Sequence, residues 1–521
     1  MDARTTRARS GTDGARECVI DCDRIESNRN ACVVGEDSRW SARVERRAKD
    51  ASFESLPVEV VREILVRRAR DDARGAASTA CALTRVSKTF RAAVESAPEM
   101  FFEDVDLSHG VCAPTDARMR ACAKRGVFKR TRRLNLAGCV RLTDATLRTL
   151  AETCESLEDV TLSGGSFTKD GMFAFIDAVR GLKAIHVDTS APKMTPTDAL
   201  GALQRFVERN AETLEKISCG REAPYAPAER RAFTKASNRL FDAIKKCTGL
   251  RVLNLTNCGE DVRFPLFELQ RACPHLSELR LNHMGGEPGW RVVGRADDDF
   301  EDTCWRHLRV LEVAVSMETT SVGHRYGHSN VDDGVLVSML YGSIETIEEL
   351  DITGCTHLGD WRDVVWDRMP FQLKILRCAR TPLASDDGAV VHVLTQLCPS
   401  LETLELGCVG ANASSLTDAA FAPILAHIGP DLPLRVLRVP GSGLSASVAR
   451  ALTSGARSRF PDLRALDLAS CRGLPRDVRR VSLATFPREN VRDIARALDA
   501  DATDAFDRPP TKRARARGRD T

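Results

Sequence analysis

The chain has 521 residues, of which 43% are hydrophobic and 5% aromatic, and its 76 basic and 73 acidic side chains give a net charge of +3. This balance argues against bulk attraction to nucleic acid or anionic membranes, and no run of 18 apolar residues occurs that could span a bilayer. Eighteen cysteines in a chain of this length do not indicate a disulfide scaffold, and the N-terminus lacks a secretory signal. We therefore expect reduced thiols and a nuclear or cytoplasmic location.

The N-terminal residues 1–50 are rich in arginine, aspartate and serine and show little periodicity, which predicts a disordered tail. This segment contains three closely spaced cysteines, Cys18, Cys22 and Cys32, but the first histidine of the chain is His109. Structural zinc sites need four ligands at close spacing, so we predict no metal site, and nothing in the sequence predicts a cofactor.

Residues 53–100 carry the pattern of short amphipathic helices. Pro57 suits a first helical turn, and Glu59 is favourable beside the positive end of a helix. Two apolar stripes follow at helical spacing, formed by Val60, Val61, Ile64 and Leu65 and then by Leu83, Val86 and Phe90. Considered alone, this pattern also fits a small helical cap whose stripes belong to the core.

Residues 101–127 predict a junction and a capping repeat. The segment from Phe101 to Leu107 has the character of an extended strand that would close the end of a following stack. Residues 108–127 are helical in composition and are not rich in glycine or serine, so we expect a rigid connection.

From Leu134 to Leu468 a short Leu-x-Leu-like pair recurs twelve times, at spacings of 25 to 39 residues. A sustained period in this range indicates a stack of small units, none of which can bury its apolar face alone. We therefore predict a solenoid over residues 128–490, whose long surface suits it to binding. The pairs are Leu134/Leu136, Val160/Leu162, Ile185/Val187, Ile217/Cys219, Leu253/Leu255, Leu279/Leu281, Leu311/Val313, Leu350/Ile352, Leu376/Cys378, Leu404/Leu406, Leu437/Val439 and Leu466/Leu468.

The first of these pairs shows how each unit is built. Leu134 and Leu136 alternate with Asn135, as in a strand with one buried face, and Gly138 allows a turn. Thr143 then caps a helix whose apolar stripe consists of Leu147, Leu150, Ala151 and Cys154. Because parallel strands stack beside bulkier helices, we predict an α/β horseshoe with strands on the concave face and helices on the convex face.

Several pairs are followed by a cysteine, as at Cys139 and Cys355, which we expect to act as small buried hydrophobes. With these residues the sequence resembles the leucine-rich repeat family, specifically the type in which Leu-x-Leu-x-Gly-Cys precedes Leu-Thr-Asp. The resemblance covers residues 105–475 and implies a repeat solenoid that binds another protein.

The segment before the repeats resembles an F-box, with Leu-Pro-x-Glu-Val and Ile-Leu followed by Val-x-Lys-x-aromatic-Arg. This resemblance implies a three-helix module that docks the Skp adaptor and, through it, the cullin and RING subunits of a ubiquitin ligase. The chain would then be a non-catalytic substrate-recognition subunit that delivers a protein substrate. The adaptor-facing positions that it implies are Leu56, Pro57, Glu59, Val60, Ile64, Leu65, Val86 and Phe90.

Strand alternation places the residue between the two members of each pair on the concave face. The signs of these residues are mixed, which suits a protein partner, whereas a nucleic-acid groove would be uniformly basic. The alternative is that the charges are merely solvated and have no partner. The predicted substrate-binding positions are Asn135, Asn254, Arg280, Glu312, Asp351, Arg377, Glu405 and Arg438.

Residues 285–328 predict an insertion whose aromatic residues, Trp290 and Trp305, would form either a ligand lid or part of a variable loop. No catalytic or phosphate-binding motif stands out, because the Gly441-Ser-Gly443 sequence falls in register with the repeat turns. We therefore predict no catalytic residues.

Residues 491–521 predict a basic, partly disordered tail. The residues Lys512, Arg513, Arg515 and Arg517 resemble a nuclear-import signal. Nonspecific contact with nucleic acid and a merely soluble tail are the alternatives. For the whole chain, the alternative to a ligase subunit is a leucine-rich scaffold that binds a protein partner and has no adaptor.

Overall fold

The structure is a computed structural model. The residues that it describes are 56–70, 87–97, 100–108, 114–188, 193–220, 230–256, 263–282, 291–292, 304–315, 331–358, 372–385, 398, 400–407, 417–419, 433–453, 462–485 and 490–507. The predicted N-terminal tail, Val86 and the import-signal candidates Lys512, Arg513, Arg515 and Arg517 lie outside these ranges, as do Trp290, Cys258 and Cys408.

Short parallel strands dominate the described chain. Thirteen of them form one sheet in which spatial order follows chain order, while β7 and β9 pair with each other in a second, small parallel sheet. The strands are β1 (Asp104–Asp106), β2 (Arg133–Asn135), β3 (Asp159–Thr161), β4 (Ala184–Asp188), β5 (Lys216–Gly220), β6 (Val252–Asn254), β7 (Arg263–Phe264), β8 (Glu278–Arg280), β9 (Arg291–Val292), β10 (Val310–Glu312), β11 (Glu349–Asp351), β12 (Ile375–Arg377), β13 (Thr403–Glu405), β14 (Val436–Arg438) and β15 (Ala465–Asp467).

The register of the large sheet is constant from end to end. Val105 pairs with Leu134, Leu134 with Val160, and this pairing of buried apolar residues continues to Leu466. Each of the twelve predicted pairs begins in a strand of this sheet, and β1 adds a thirteenth strand before them. The predicted α/β leucine-rich repeat solenoid is confirmed by this ladder.

Helices follow many of the strands and bury one apolar side against the sheet. The described α-helices are α1 (Val58–Arg70), α2 (Lys88–Glu95), α3 (Asp116–Lys124), α4 (Asp144–Thr153), α5 (Lys169–Ala178), α6 (Pro196–Asn210), α7 (Arg230–Ile244), α8 (Leu266–Ala272), α9 (Asp333–Leu340), α10 (Ala446–Thr453), α11 (Arg476–Thr485) and α12 (Val491–Asp507). None of them is long and apolar enough to cross a membrane.

The helix starts of neighbouring repeats are joined by threonine and aspartate side chains. Thr143 caps α4 by accepting the Ala145 backbone N–H, and the Thr143 hydroxyl itself donates to the Asp116 carboxylate at 2.7 Å. One repeat later, the Thr168 hydroxyl donates to Asp144 at 2.6 Å and its backbone N–H donates at 2.8 Å. Each aspartate thereby fixes the position of the next helix in the stack.

The cysteines after the strands are part of the core. The thiols of Cys139, Cys355 and Cys471 lie 3.3–3.5 Å from backbone carbonyl oxygens of the preceding repeat. Burial raises the pKa of the Cys139 thiol to about 11, with the charge of Asp106 as a second cause. The thiol therefore stays protonated and unreactive at neutral pH, as expected for a small buried residue.

The helices α1 and α2 pack together ahead of the first strand. Val61 and Val66 of α1 and Val94 of α2 are buried in the same core cluster as Phe101 and Phe102, which lead into β1. The helix α3 occupies the junction between β1 and β2. The leading helices are therefore packed against the end of the stack through continuous apolar contact.

Part of the predicted insertion at 285–328 is repeat core. The Trp305 side chain is fully buried, and its indole N–H donates to the Cys273 carbonyl oxygen at 3.1 Å. An aromatic ring held in this way cannot serve as a mobile lid, so that prediction is wrong for Trp305. The strand β10 follows directly and occupies its regular place in the sheet.

The ordered stack extends beyond the predicted boundary at residue 490. Residues 491–507 form α12, which packs on α10 and α11, and its Ile494 and Leu498 side chains are fully buried. Asn490 precedes this helix and holds both backbone groups of Leu466 through its side-chain amide. The predicted tail therefore starts later than 491, because α12 covers the last strand-and-helix unit.

Candidate protein-interaction surfaces

An apolar strip runs along the outside of α1. Val60 and Ile64 are 44% and 40% exposed, and their spacing of four residues places them on one side of the helix. Leu56, two residues before the helix begins, is 38% exposed. Pro57 and Glu59 beside them are also exposed. Large apolar side chains in such a row lack a covering surface among the described residues, which is typical of a docking helix.

The opposite side of α1 holds the module together. Val61 and Val66 are buried, and so is Leu65, at 4% exposure. Leu65 therefore belongs to the core and does not face outward with the other predicted adaptor positions. Phe90 on α2 is half-buried and packs on the same core.

The second surface is the open face of the large sheet, which carries the third residue of each strand and corresponds to the predicted concave face. All eight predicted substrate-binding residues lie here at half-buried positions, in register across neighbouring strands. Between β2 and β6 these third residues are uncharged, whereas every one from β8 to β15 is charged. The charged half is thus the distinctive part of this face.

The charges on the open face are paired with each other. Arg280 bridges Glu278 and Glu312, and Glu312 also accepts the Asn282 amide at 2.6 Å. Further along, Arg377 contacts Glu349 and lies 3.4 Å from Glu405. The network continues from Glu405 to Arg438, whose guanidinium lies 2.9 Å from that carboxylate. A partner would therefore meet a fixed pattern of charges, since each side chain is held by its neighbours.

Three of the predicted binding residues also shape the turns after their strands. The side-chain oxygens of Asn135, Asn254 and Asp351 accept the backbone N–H two residues further on, at 3.0–3.1 Å. This is the turn-forming contact that favours asparagine and aspartate at such positions. These three side chains are therefore less available to a partner than their place on the open face suggests.

Apolar residues accompany the paired charges. The first residues of β10, β12 and β14 are Val310, Ile375 and Val436, and all three are half-buried on the same face of the sheet. Alternating apolar and charged positions of this kind suit a protein surface, because apolar contact supplies affinity and fixed charges select the partner.

A further row of charges follows the edge of the sheet. We define the edge row as the residue immediately before each of the thirteen strands of the large sheet. Each edge-row backbone N–H after the first donates to the preceding edge-row carbonyl oxygen at 2.7–2.9 Å, so the row is continuous. In chain order the edge row is Glu103, Arg132, Glu158, Lys183, Glu215, Arg251, Ser277, Arg309, Glu348, Lys374, Glu402, Arg435 and Arg464.

The edge-row charges alternate in sign except at Ser277 and at Arg464, and several of them form ion pairs between repeats. Lys183 lies 3.0 Å from Glu158, and Glu348 is contacted by Arg309 at 2.6 Å and by Lys374 at 2.9 Å. The hydrogen bond from Lys374 lowers the pKa of Glu348, and the bond from Arg309 adds to this effect. Exposed ion pairs of this type contribute little to the stability of the fold. The alternation of charge along the edge row is therefore a feature of the protein surface and is not needed to hold the core together.

A cavity of about 790 Å³ opens at this edge around the middle of the stack. Its wall includes the neutral edge-row residue Ser277 with Arg251 and Arg309 on either side. Its other lining residues are His275, His307, Glu345, Thr346, Glu348, Gln372, Lys374 and Ser400.

The repeat pattern of the sequence predicted the residue between the two members of each Leu pair as a surface position, and it did not predict the edge row. The signal was nevertheless present, as an alternating charge two positions before the first Leu of each pair.

Among the residues that the structure describes, no three His, Cys, Asp or Glu side chains are grouped so as to hold a metal ion.

Comparison with known proteins gives little beyond the architecture described above. No protein-family model and no curated protein matches the sequence. A chain of the yeast Rad7 and Elc1 complex is similar at 14% identity, over 85% of this chain and 89% of that chain, with a TM-score of 0.40. An internalin (inlF) of Listeria monocytogenes is similar at 14% identity, over 73% of this chain and 96% of that chain, with a TM-score of 0.34. At these values neither similarity identifies a partner or an activity for this chain.

Proposed function

We propose that this chain is the substrate-recognition subunit of a Skp–cullin–F-box ubiquitin ligase, with α1 docking the Skp adaptor and the solenoid binding a protein substrate. The observation that carries the proposal is the exposed strip formed by Val60 and Ile64 on α1 and by Leu56 just before it, while Val61, Leu65 and Val66 of the same helix are buried. An apolar helix strip that no described residue covers favours a partner that covers it.

The proposed activity needs no catalytic residue in this chain. The adaptor would link α1 to the cullin and RING subunits, while the open face would hold the substrate. Because the core runs unbroken from α1 through Phe101 into the first strand, the two surfaces keep a fixed relation. A fixed relation raises the effective concentration of the substrate near the transferred ubiquitin, in the nucleus or the cytoplasm.

On the substrate side, we propose a folded protein or peptide that binds the charged half of the open face. Its surface would carry apolar side chains opposite Val310 and Ile375 and charges complementary to the network around Arg377. Nucleic acid is a poor fit, because acidic residues alternate with the basic ones along this face.

The decisive experiment measures binding of purified Skp adaptor to the intact chain and to the Val60→Asp/Ile64→Asp double variant. Two unpaired carboxylates in an apolar interface should abolish detectable binding. The control is Arg67→Asp on the same helix, where the side chain is 77% exposed and forms an ion pair with Glu63 four residues away. This control should fold and bind like the unchanged chain.

The alternative is a leucine-rich scaffold in which α1 and α2 only close the end of the stack. Its support is that Val61 of α1 and Phe101 and Phe102 before β1 are all buried and belong to the same hydrophobic core as the repeats. Failure of the folded, intact chain to retain the adaptor would favour the scaffold and reject the ligase subunit. Equal retention by the double variant would show that adaptor binding does not use the α1 strip.

A further inference from the structure

Between Glu103 and Arg435 the edge row contains one interruption in its alternation of charge, and the row ends with two basic residues, Arg435 and Arg464. From Glu103 to Arg435 acidic and basic residues alternate at every position except 277, where an acidic residue would continue the series. Ser277 is small, and its hydroxyl donates to the Arg251 carbonyl oxygen at 3.0 Å. The side chain therefore stays close to the backbone and leaves open the volume that a glutamate would occupy.

The interruption leaves two arginines facing the same space. Arg251 and Arg309 lie on either side of Ser277 in the row, so their Cα atoms are about 10 Å apart at ordinary strand spacing. Arg251 has its acidic neighbour Glu215 on one side only, and Arg309 has Glu348 on one side only. Both arginine side chains are long enough for their guanidinium groups to reach an anion placed over Ser277.

The cavity at this point supplies further polar groups. The exposed residues His275 and His307 line it, as do Thr346 and Ser400. Two carboxylates also line the cavity, but Glu348 already binds Arg309 and Lys374. The other, Glu345, is exposed in the turn before Thr346. The lining thus combines three Lys or Arg side chains and two histidines with two glutamates.

We propose that this cavity is an anion-binding site that takes a single phosphate or carboxylate group carried by a peptide of a protein partner. The group would lie over Ser277, between Arg251 and Arg309, and would complete the alternation that the chain itself leaves open. Arginine is suited to this role because its planar fork can hold two oxygens of one phosphate or carboxylate group. The site lies on the sheet edge and does not depend on adaptor docking by α1.

The surrounding charges define what kind of anion fits. Glu215 and Glu348 flank the two arginines, so a continuous polyanion such as RNA would meet a carboxylate about 10 Å to either side of Ser277 and be repelled there. An isolated anionic side chain over Ser277 lies nearest to the two arginines, and the Glu348 carboxylate in the same lining is already paired with Arg309 and Lys374. A peptide with one phosphoserine or glutamate among neutral or basic residues therefore fits better than nucleic acid or an anionic membrane.

The test uses the full chain and a short fluorescein-labelled peptide that carries a single phosphoserine flanked by alanines. Fluorescence polarisation measures its affinity, beside the unphosphorylated peptide, the glutamate form, single-stranded RNA and inorganic phosphate as competitor. We expect the phosphorylated and glutamate forms to bind more tightly than the serine form, with an affinity that falls as salt is raised.

A matched pair of substitutions then locates the site. Ser277→Glu fills the interruption with the chain's own carboxylate and should weaken phosphopeptide binding by roughly tenfold or more, whereas the neutral Ser277→Gln of equal size should leave most of it. Arg251→Gln/Arg309→Gln should abolish binding, and Arg132→Gln, at a distant edge-row position, should not change it. Circular dichroism verifies that each variant is folded.

Clear outcomes would overturn the proposal. Equal affinity of Ser277→Glu and Ser277→Gln for the phosphopeptide would place the anion elsewhere, and no preference of the unchanged chain for an anionic peptide would remove the site. Inorganic phosphate or RNA binding as tightly as the phosphopeptide would reject a peptide as the occupant. Adaptor binding should be the same in Ser277→Glu as in the unchanged chain, so this test fails independently of the ligase proposal.

Discussion

Asp351 shows how one side chain on the open face serves both the turn and the surface. Its carboxylate accepts the Thr353 backbone N–H, and it lies between Glu312 and Arg377 on the neighbouring strands. Burial, with the charge of Glu312 as a minor cause, raises the pKa of Asp351 to about 6 against the lowering effects of the Thr353 hydrogen bonds and of Arg377. The folded chain therefore holds this proton more tightly than the unfolded chain does.

This raised pKa predicts a pH-dependent cost in stability. Below about pH 4 Asp351 is protonated in both states, and its contribution to the free energy of unfolding is then greatest. That contribution is lost as the pH rises through about 6, because the buried group must then ionise. We expect Asp351→Asn to raise the free energy of unfolding by about 1–3 kcal/mol at pH 7 and by nearly nothing at pH 4.

Urea unfolding of both proteins at the two pH values measures this difference. Asparagine keeps the acceptor for the Thr353 N–H, so the turn remains intact in the variant. A variant that is less stable than the unchanged chain at pH 7 would mean that attraction to Arg377 outweighs the cost of burial.

At the scale of elements, the helices are positioned by contacts between repeats as well as by their own caps. Thr168 caps α5 through the Gly171 backbone N–H, while Asp144 of the preceding helix binds both the hydroxyl and the backbone N–H of Thr168. A Cβ atom on Gly171 would lie 2.2 Å from the Asp144 carboxylate, so the two helices are closely packed here. The Leu-Thr-Asp motif therefore encodes a joint between neighbouring repeats.

We expect Asp144→Ala to lower the free energy of unfolding by about 1–3 kcal/mol, because two partly buried hydrogen bonds between Asp144 and Thr168 are lost. The matched control is Asp170→Ala, which removes an exposed acidic residue from the first turn of α5. This control should lower the free energy of unfolding by only about 0.3–1 kcal/mol, because it removes a negative charge that interacts favourably with the dipole at the start of α5. Chemical denaturation of both variants measures the difference, and equal losses would contradict a joint made by Asp144.

At the scale of the whole molecule, a stack of repeats needs its ends covered. The leading helices cover β1 through Phe101 and Phe102, and α12 covers the last unit through Ile494 and Leu498. The Leu498 carbonyl oxygen also accepts the Arg450 guanidinium at 3.1 Å. Since each repeat is stabilised by its neighbours, an uncovered end exposes apolar core and weakens the units beside it.

In a chain that stops after residue 489, the free energy of unfolding should therefore be lower by about 3–6 kcal/mol. The truncation removes the buried side chains of Ile494 and Leu498 and the two hydrogen bonds between Asn490 and the Leu466 backbone. A chain that stops after residue 507 keeps α12 and should be as stable as the full protein. Thermal and urea unfolding distinguish the two truncations. Equal stability would show that α12 is not an end cap.

The repeat period was the part of the fold most open to prediction from sequence. Every strand of the large sheet occupies a position indicated by an apolar alternation, because a strand with one buried face needs an apolar residue at every second position. The positions of the exposed strip on α1 were less determined. Leu65 and Ile64 are adjacent apolar residues, and only the packing of α1 on α2 turns Leu65 inward and leaves Ile64 exposed.

The sequence by itself determined the sheet, the order of its strands and the residues on its open face, since these follow from local periodicity repeated along the chain. Tertiary structure decided which charges meet: Arg377 joins Glu349 and Glu405 only because strands from different repeats are adjacent. It also decided that Trp305 is core and that α12 closes the stack. The opening at Ser277 depends on both sequence and tertiary structure. The sequence supplies a neutral residue at position 277, and the stacking of repeats places Arg251 and Arg309 on either side of it.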